Sequence, residues 1–156
     1  MHKTPEITRL IHENFWTILA FAFGRPIVAK VIADRFKGEW KYLNKTVYER
    51  AEVLADRALL EMATQMRILD DAEKLSDRYK VLGSPALGEV LQADGNKTPL
   101  YFRDMTNKVI HAAVFQWELS NSHDPKVICL PHDGERWKSA RLDIVPLMSV
   151  IGSLIH

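Results

Sequence analysis

Arg103, Asn107 and His111 follow one another at four-residue intervals in "YFRDMTNKVIHAAVF", residues 101 to 115. On a helix each successive member is displaced by about 40°, so the three form a polar stripe along one side. Phe102, Met105, Val109 and Ala112 fall on the opposing side, the pattern of an amphipathic helix. A histidine can serve as general acid or base near neutral pH, an arginine can hold a phosphate with two parallel bonds, and an asparagine can orient either one. That set suits phosphodiester chemistry. The alternative is a structural stripe, in which Arg103 pairs with a carboxylate such as Asp104 or Glu61 while Asn107 and His111 satisfy buried backbone groups.

The elements that must position this stripe can be read from periodicity. Ile7, Leu10, Ile11, Phe15, Ile18, Phe21 and Ala22 recur at three- and four-residue steps and predict a helix from about Pro5 to Phe23, with Asn14 as the polar exception on that face. Trp16, Leu19 and Phe23 widen its apolar surface, so its C-terminal end is expected to be buried on most sides. "GRP", 24 to 26, reads as a breaker followed by a second helix, "PIVAKVIADRF", with Ile27, Val31 and Ile32 inward. The clearest helix begins at "TVYE", where Thr46 and Glu49 have the spacing of a capping box. Ala51, Leu54, Ala55, Ala58, Leu59, Met62, Met66 and Leu69 then share one face, with Glu52, Asp56, Arg57 and Arg67 on a solvated one.

"LGSPALGEVLQADGNKTP" is broken by Gly83, Pro85, Gly88 and Gly95 and reads as a connection. Thr98 and Pro99 resemble a cap followed by proline and would start the helix that carries the stripe. Beyond His111, "AVFQWEL", "KVICL" and "WKSARLDI" are short β-rich runs, separated by "SNSHDP" and "HDGE". "DIVPLMSVIGSLI" predicts a short apolar helix against the core. The fold expected is one α+β domain: a helical bundle led by the helix from 46 to about 72, with a small antiparallel sheet before a final short helix.

Composition bounds the function. With 156 residues, 47% hydrophobic and 26% charged, the chain can bury one core without a disulfide or metal staple. Its net charge of +1 leaves any RNA contact to a local patch. "FWTILAFAFG" is about half the length of a bilayer-spanning helix, and no export signal is visible, so the cytoplasm is the expected compartment. Cys129, His132 and His123 fall short of the four ligands of a structural zinc site. Cys129 is expected to be a small apolar residue on a strand. No phosphate loop or nucleophile elbow is present, and no cofactor is expected. Trp16, Trp40, Trp117 and Trp137 read as core anchors more readily than as a stacking platform for bases.

The segment "FRDMTNKVIHA" resembles the arginine-to-histidine segment of HEPN (higher eukaryotes and prokaryotes nucleotide-binding) domains, and "LADRALLEMATQMRILDD" is similar to the helix before it. The resemblance spans roughly 47 to 112. Seven residues separate Arg103 from His111, where the usual ribonuclease form has four to six. The resemblance implies a helical bundle that dimerises with this motif at the interface and, in active members, cleaves RNA without a metal. Arg103 would then bind the scissile phosphate, His111 would transfer a proton or contact phosphate, and Asn107 would support both. Two functions are therefore expected: a HEPN-like ribonuclease of a toxin-antitoxin or defence system, or a non-catalytic binding domain in which the stripe is structural. A homodimer is expected in either case, because the apolar N-terminal helices can bury a face in a second copy.

Overall fold

Helix α1 runs from Thr4 to Arg35 without a break, although Gly24 and Pro26 both lie inside it. The computed structural model describes residues 4–36, 38 and 41–155, so Trp40 lies outside the described residues. The expected break at "GRP" is not there. Proline removes one backbone donor from a helix, and the residue just before it, Arg25, is anchored to the helix that packs alongside. Arg25 lies over the Phe21 ring at 5.5 Å and the Tyr48 ring at 5.6 Å, and its guanidinium reaches Glu52 at 3.4 Å. Thr8, Ile11, Phe15, Ile18, Phe21 and Ala22 form the buried face. The C-terminal half is not enclosed as expected: Trp16 is 72% exposed, Ile27 66%, and Val31 is exposed as well.

A short helix α2, Lys41–Asn44, passes into a π-helical turn, Lys45–Glu49, and then into α3, Arg50–Glu73. The capping box expected at Thr46 does not form. The Thr46 hydroxyl bonds back to the Tyr42 carbonyl at 2.9 Å, the bond a threonine makes within a helix rather than at its start. Along α3, Ala55, Ala58, Leu59, Met62, Ala63, Met66, Leu69 and Asp70 are buried, while Leu54, expected inward, is exposed. Lys74 ends the helix in the left-handed region at φ 55°, and its N–H donates to the Asp70 carbonyl at 2.7 Å. Helix α4, Leu75–Leu82, starts at once and stops at Gly83, φ 68°.

The stretch expected to be a mere connection is a β-hairpin. Strand β1, Gly88–Gln92, pairs with β2, Lys97–Leu100. The turn is closed by Asp94, whose carboxylate accepts from the Asn96 N–H at 2.9 Å, and by Gly95 at φ 90°, a conformation favourable to glycine. Thr98 and Pro99 belong to β2 rather than to a helix start. Pro99 is tolerated because β2 is the edge strand. Helix α5, Phe102–Ile110, follows; then come β3, Ala112–Glu118, β4, Lys126–Pro131, and β5, Trp137–Asp143. Helix α6, Ile144–Gly152, closes the fold. The five strands form one antiparallel sheet in the order β2-β1-β5-β4-β3.

The architecture is the expected α+β arrangement, with a sheet of five strands and a final short helix packed on the core through Ile144, Leu147, Val150 and Ile151. Trp137 is buried, and Trp117 is half-buried with its ring edge-on to Phe21 at 5.1 Å. These two tryptophans anchor the core, but Trp16 does not. Cys129 is buried on β4, and burial pushes its thiol up to about 12, so it is an inert apolar group.

Candidate functional site

The stripe on α5 is shorter than its spacing suggested. Phe102, Met105, Thr106 and Val109 face the core, and the helix ends at Ile110. His111 is already outside it, at φ −93° and ψ 5°, and is exposed. Its backbone N–H still donates to the Asn107 carbonyl at 3.0 Å. Two turns of rise separate Arg103 from His111, about 12 Å along the axis.

Arg103 does not reach Asp104 or Glu61. Its Nη1 donates to Asp70 Oδ2 at 2.9 Å and to Asp71 Oδ1 at 2.6 Å. Asp70 is the joint of this region. Its side chain is 3% exposed, and its carboxylate also accepts from the Ser76 N–H at 2.7 Å and the Ser76 hydroxyl at 2.5 Å. It thereby satisfies a free amide in the first turn of α4, where a negative charge is favoured by the helix dipole. Burial works to raise the Asp70 pKa. The two Ser76 bonds and then Arg103 outweigh it, and the carboxyl sits below its ordinary value. The same two aspartates raise the Arg103 pKa.

The neighbouring cations are matched in the same way. Arg67 on α3 donates to the Asn107 side-chain carbonyl and lies 3.8 Å from Asp71. Lys108 pairs with Asp104 at 3.3 Å and sits over the Trp137 ring at 5.0 Å. Asn107 and His111 therefore do not satisfy buried backbone groups through their side chains. Asn107 is engaged by Arg67, and the His111 ring makes no hydrogen bond among the described residues.

Two adjoining hollows lie over this face of α5. The first, ≈680 Å³, is walled by Tyr79, Lys80, Tyr101, Phe102 and Arg103. The second, ≈520 Å³, is walled by Lys108, His111, Glu135, Arg136 and Trp137. Asp104 and Asn107 line both, so the two make one groove along the helix. The spacing of the stripe located its floor, but the α4 and β4–β5 loop residues that wall it were missed. Of the walls, Glu135 and Arg136 stand just beyond the Asp133-Gly134 pair, a recognisable turn signal. Nothing local in the sequence marks Tyr79 or Lys80.

His132 is exposed just after β4, and His123 lies in the β3–β4 turn, where its N–H donates to the Asn121 side chain at 3.1 Å. Cys129, between them in sequence, is buried. Among the described residues no cluster of three His, Cys, Asp or Glu side chains could hold a metal ion. No protein-family model matches this chain, and neither does any curated protein or solved structure.

Proposed function

We propose that the chain is a non-catalytic binding domain in which Arg103 and Asn107 are structural and the groove over α5 receives a peptide segment of a partner. One observation carries this reading: Arg103 is held by both Asp70 and Asp71. A phosphate arriving there would have to displace two carboxylates, one of them buried. Charge pairing leaves the floor of the groove close to neutral, which suits a peptide better than a polyanion. Tyr79, Tyr101 and Phe102 offer an apolar seat for a side chain at one end. Charges of both signs on Glu135 and Arg136 offer polar contacts at the other.

A HEPN-like ribonuclease is the second reading, and His111 favours it. The ring is exposed in the groove beside Lys108 and Arg136, as a general acid or base must be. Its distance from Arg103 along α5 argues against their acting on one scissile phosphate. The deciding experiment incubates the wild type, Arg103→Ala and His111→Ala with structured and unstructured RNA. No cleavage is expected from any of them. Cleavage by the wild type that disappears in a normally folded His111→Ala variant overturns the binding reading. Panning of a random peptide library is expected to give ligands that Tyr101→Ala and Arg136→Glu release, and a library that yields none sinks it from the other side.

A further inference from the structure

Along α1 the solvent face carries a pattern that the fold uses only in part: Arg9 pairs with Glu6 and Glu13 along the helix, and Phe23 packs partly on the core. Arg9, Trp16, Phe23 and Lys30 recur every seven residues, and so do Glu13, Ala20, Ile27 and Asp34. These are the two interleaved positions of a coiled-coil seam, offset by four and three residues. The seam lies opposite the face buried against α3: all of these residues are exposed except Phe23, which is half-buried. A row of exposed tryptophan, alanine and isoleucine with charges only at its two ends is unusual for a surface that meets water alone.

The order of the charges selects the occupant. In a parallel pair of α1 helices like positions meet, so Arg9, Glu13, Lys30 and Asp34 would each face its own copy. In an antiparallel pair the two kinds of position meet, and residues whose numbers sum to 43 face each other. Arg9 then meets the Asp34 of a second copy, Glu13 meets Lys30, Trp16 meets Ile27, and Ala20 meets Phe23. Four central layers are apolar, with bulky Trp16 and Phe23 each set against a smaller partner. Two layers of opposite charge close each end. Shifting the register by one heptad sets charged residues against the apolar centre, so the pattern admits one alignment.

We infer that a second copy of this chain docks on the solvent face of α1, forming an antiparallel helix pair centred between Phe21 and Ala22. Such an interface is self-complementary under a two-fold axis. It lies on the opposite side of α1 from the face buried in the fold, and none of its residues lines the groove over α5. It does not rest on the peptide-binding reading.

The same helix is long and apolar enough, by length and composition, to cross a membrane, so the test separates the two occupants. Sedimentation equilibrium of the wild type is expected to show a dimer, and Ile27→Glu a monomer with unchanged circular dichroism and a melting temperature that no longer rises with protein concentration. Lys30→Glu is expected to weaken the dimer at least tenfold and the double variant Lys30→Glu, Glu13→Lys to restore it. Under mild oxidation, Trp16→Cys mixed with Ile27→Cys is expected to crosslink, whereas Ile27→Cys alone is not. A wild type that stays monomeric at every concentration overturns the inference, as does a crosslink from Ile27→Cys alone. So does a wild type that co-sediments with phosphatidylcholine–phosphatidylserine vesicles and loses that binding in Ile27→Glu.

Discussion

Helix α3 meets the β-bearing half of the chain through two aspartates about four turns apart, and the two contacts differ in sign. Asp56, near the N-terminal end, is half-buried and accepts one hydrogen bond, from the Trp117 indole at 2.7 Å. Burial raises its pKa, the Trp117 bond lowers it less, Glu52 adds a further increase, and the net value is above the ordinary one. Asp70, near the other end, is more deeply enclosed, yet its pKa falls because Ser76 and Arg103 supply three donors and a positive charge. Depth of burial does not decide whether a carboxylate stabilises a fold; the number of donors aimed at it does.

The contrast can be broken most severely at Asp70. Asp70→Ala orphans the Ser76 amide and leaves Arg103 with Asp71 as its remaining carboxylate, and is expected to cost about 3 kcal/mol in chemical denaturation. Its pH dependence follows from the lowered pKa. The stabilisation is complete above the ordinary value near 3.8 and is lost as pH falls through the lower folded value. The gap between wild type and Asp70→Asn should therefore persist at pH 5 and close only in stronger acid; a gap that closes by pH 5 contradicts the donor argument.

Trp117→Phe is the next largest. It removes the single donor to Asp56 while keeping the ring against Phe21, and should cost about 1 kcal/mol at neutral pH. Here the sign reverses. Asp56 titrates above its ordinary value, so its charged form is a cost that lifts as pH falls through the raised folded pKa. The Trp117→Phe deficit should shrink in mildly acid solution, where that of Asp70→Asn is still whole; melting curves of both variants across pH would show it. The smallest effect is expected at His111→Ala. The ring is exposed and touches no partner among the described residues, so stability should change by less than about 0.5 kcal/mol. A larger loss would mean that the stripe is one structural unit after all.

What could be read in the sequence follows how local each determinant is. The three strands after His111, the spine around Met62 and Met66, and the final apolar helix are set by short-range periodicity, and all stand where expected. Pro26 and Thr46 misled because each is a boundary signal on its own. Both lie inside helical turns, beside an Arg25–Glu52 ion pair in the one case and with a Thr46–Tyr42 hydrogen bond in the other. The hairpin from Gly88 to Leu100 carried a fair turn signal in Asp94-Gly95. It was obscured by Pro85 and Pro99, which only an edge strand and its approach can absorb. The helical spacing of Arg103, Asn107 and His111 was legible, but their partners were not. Asp70 and Asp71 lie some thirty residues upstream on α3 and meet Arg103 only where α3 and α5 come together.

Gly88 carries one more consequence, for the order in which the molecule assembles. A β-carbon there would sit 1.8 Å from the Arg141 carbonyl oxygen, so β1 lies against β5 with no room for a side chain. Gly88 pairs with Leu142, and β5 is the last strand of the chain. The hairpin of β1 and β2 must therefore wait, one edge unpaired, until more than forty further residues have left the ribosome. Its inner edge is a site of transient exposure during synthesis. The α1–α3 helical pair needs none of those later residues and can form before the sheet closes.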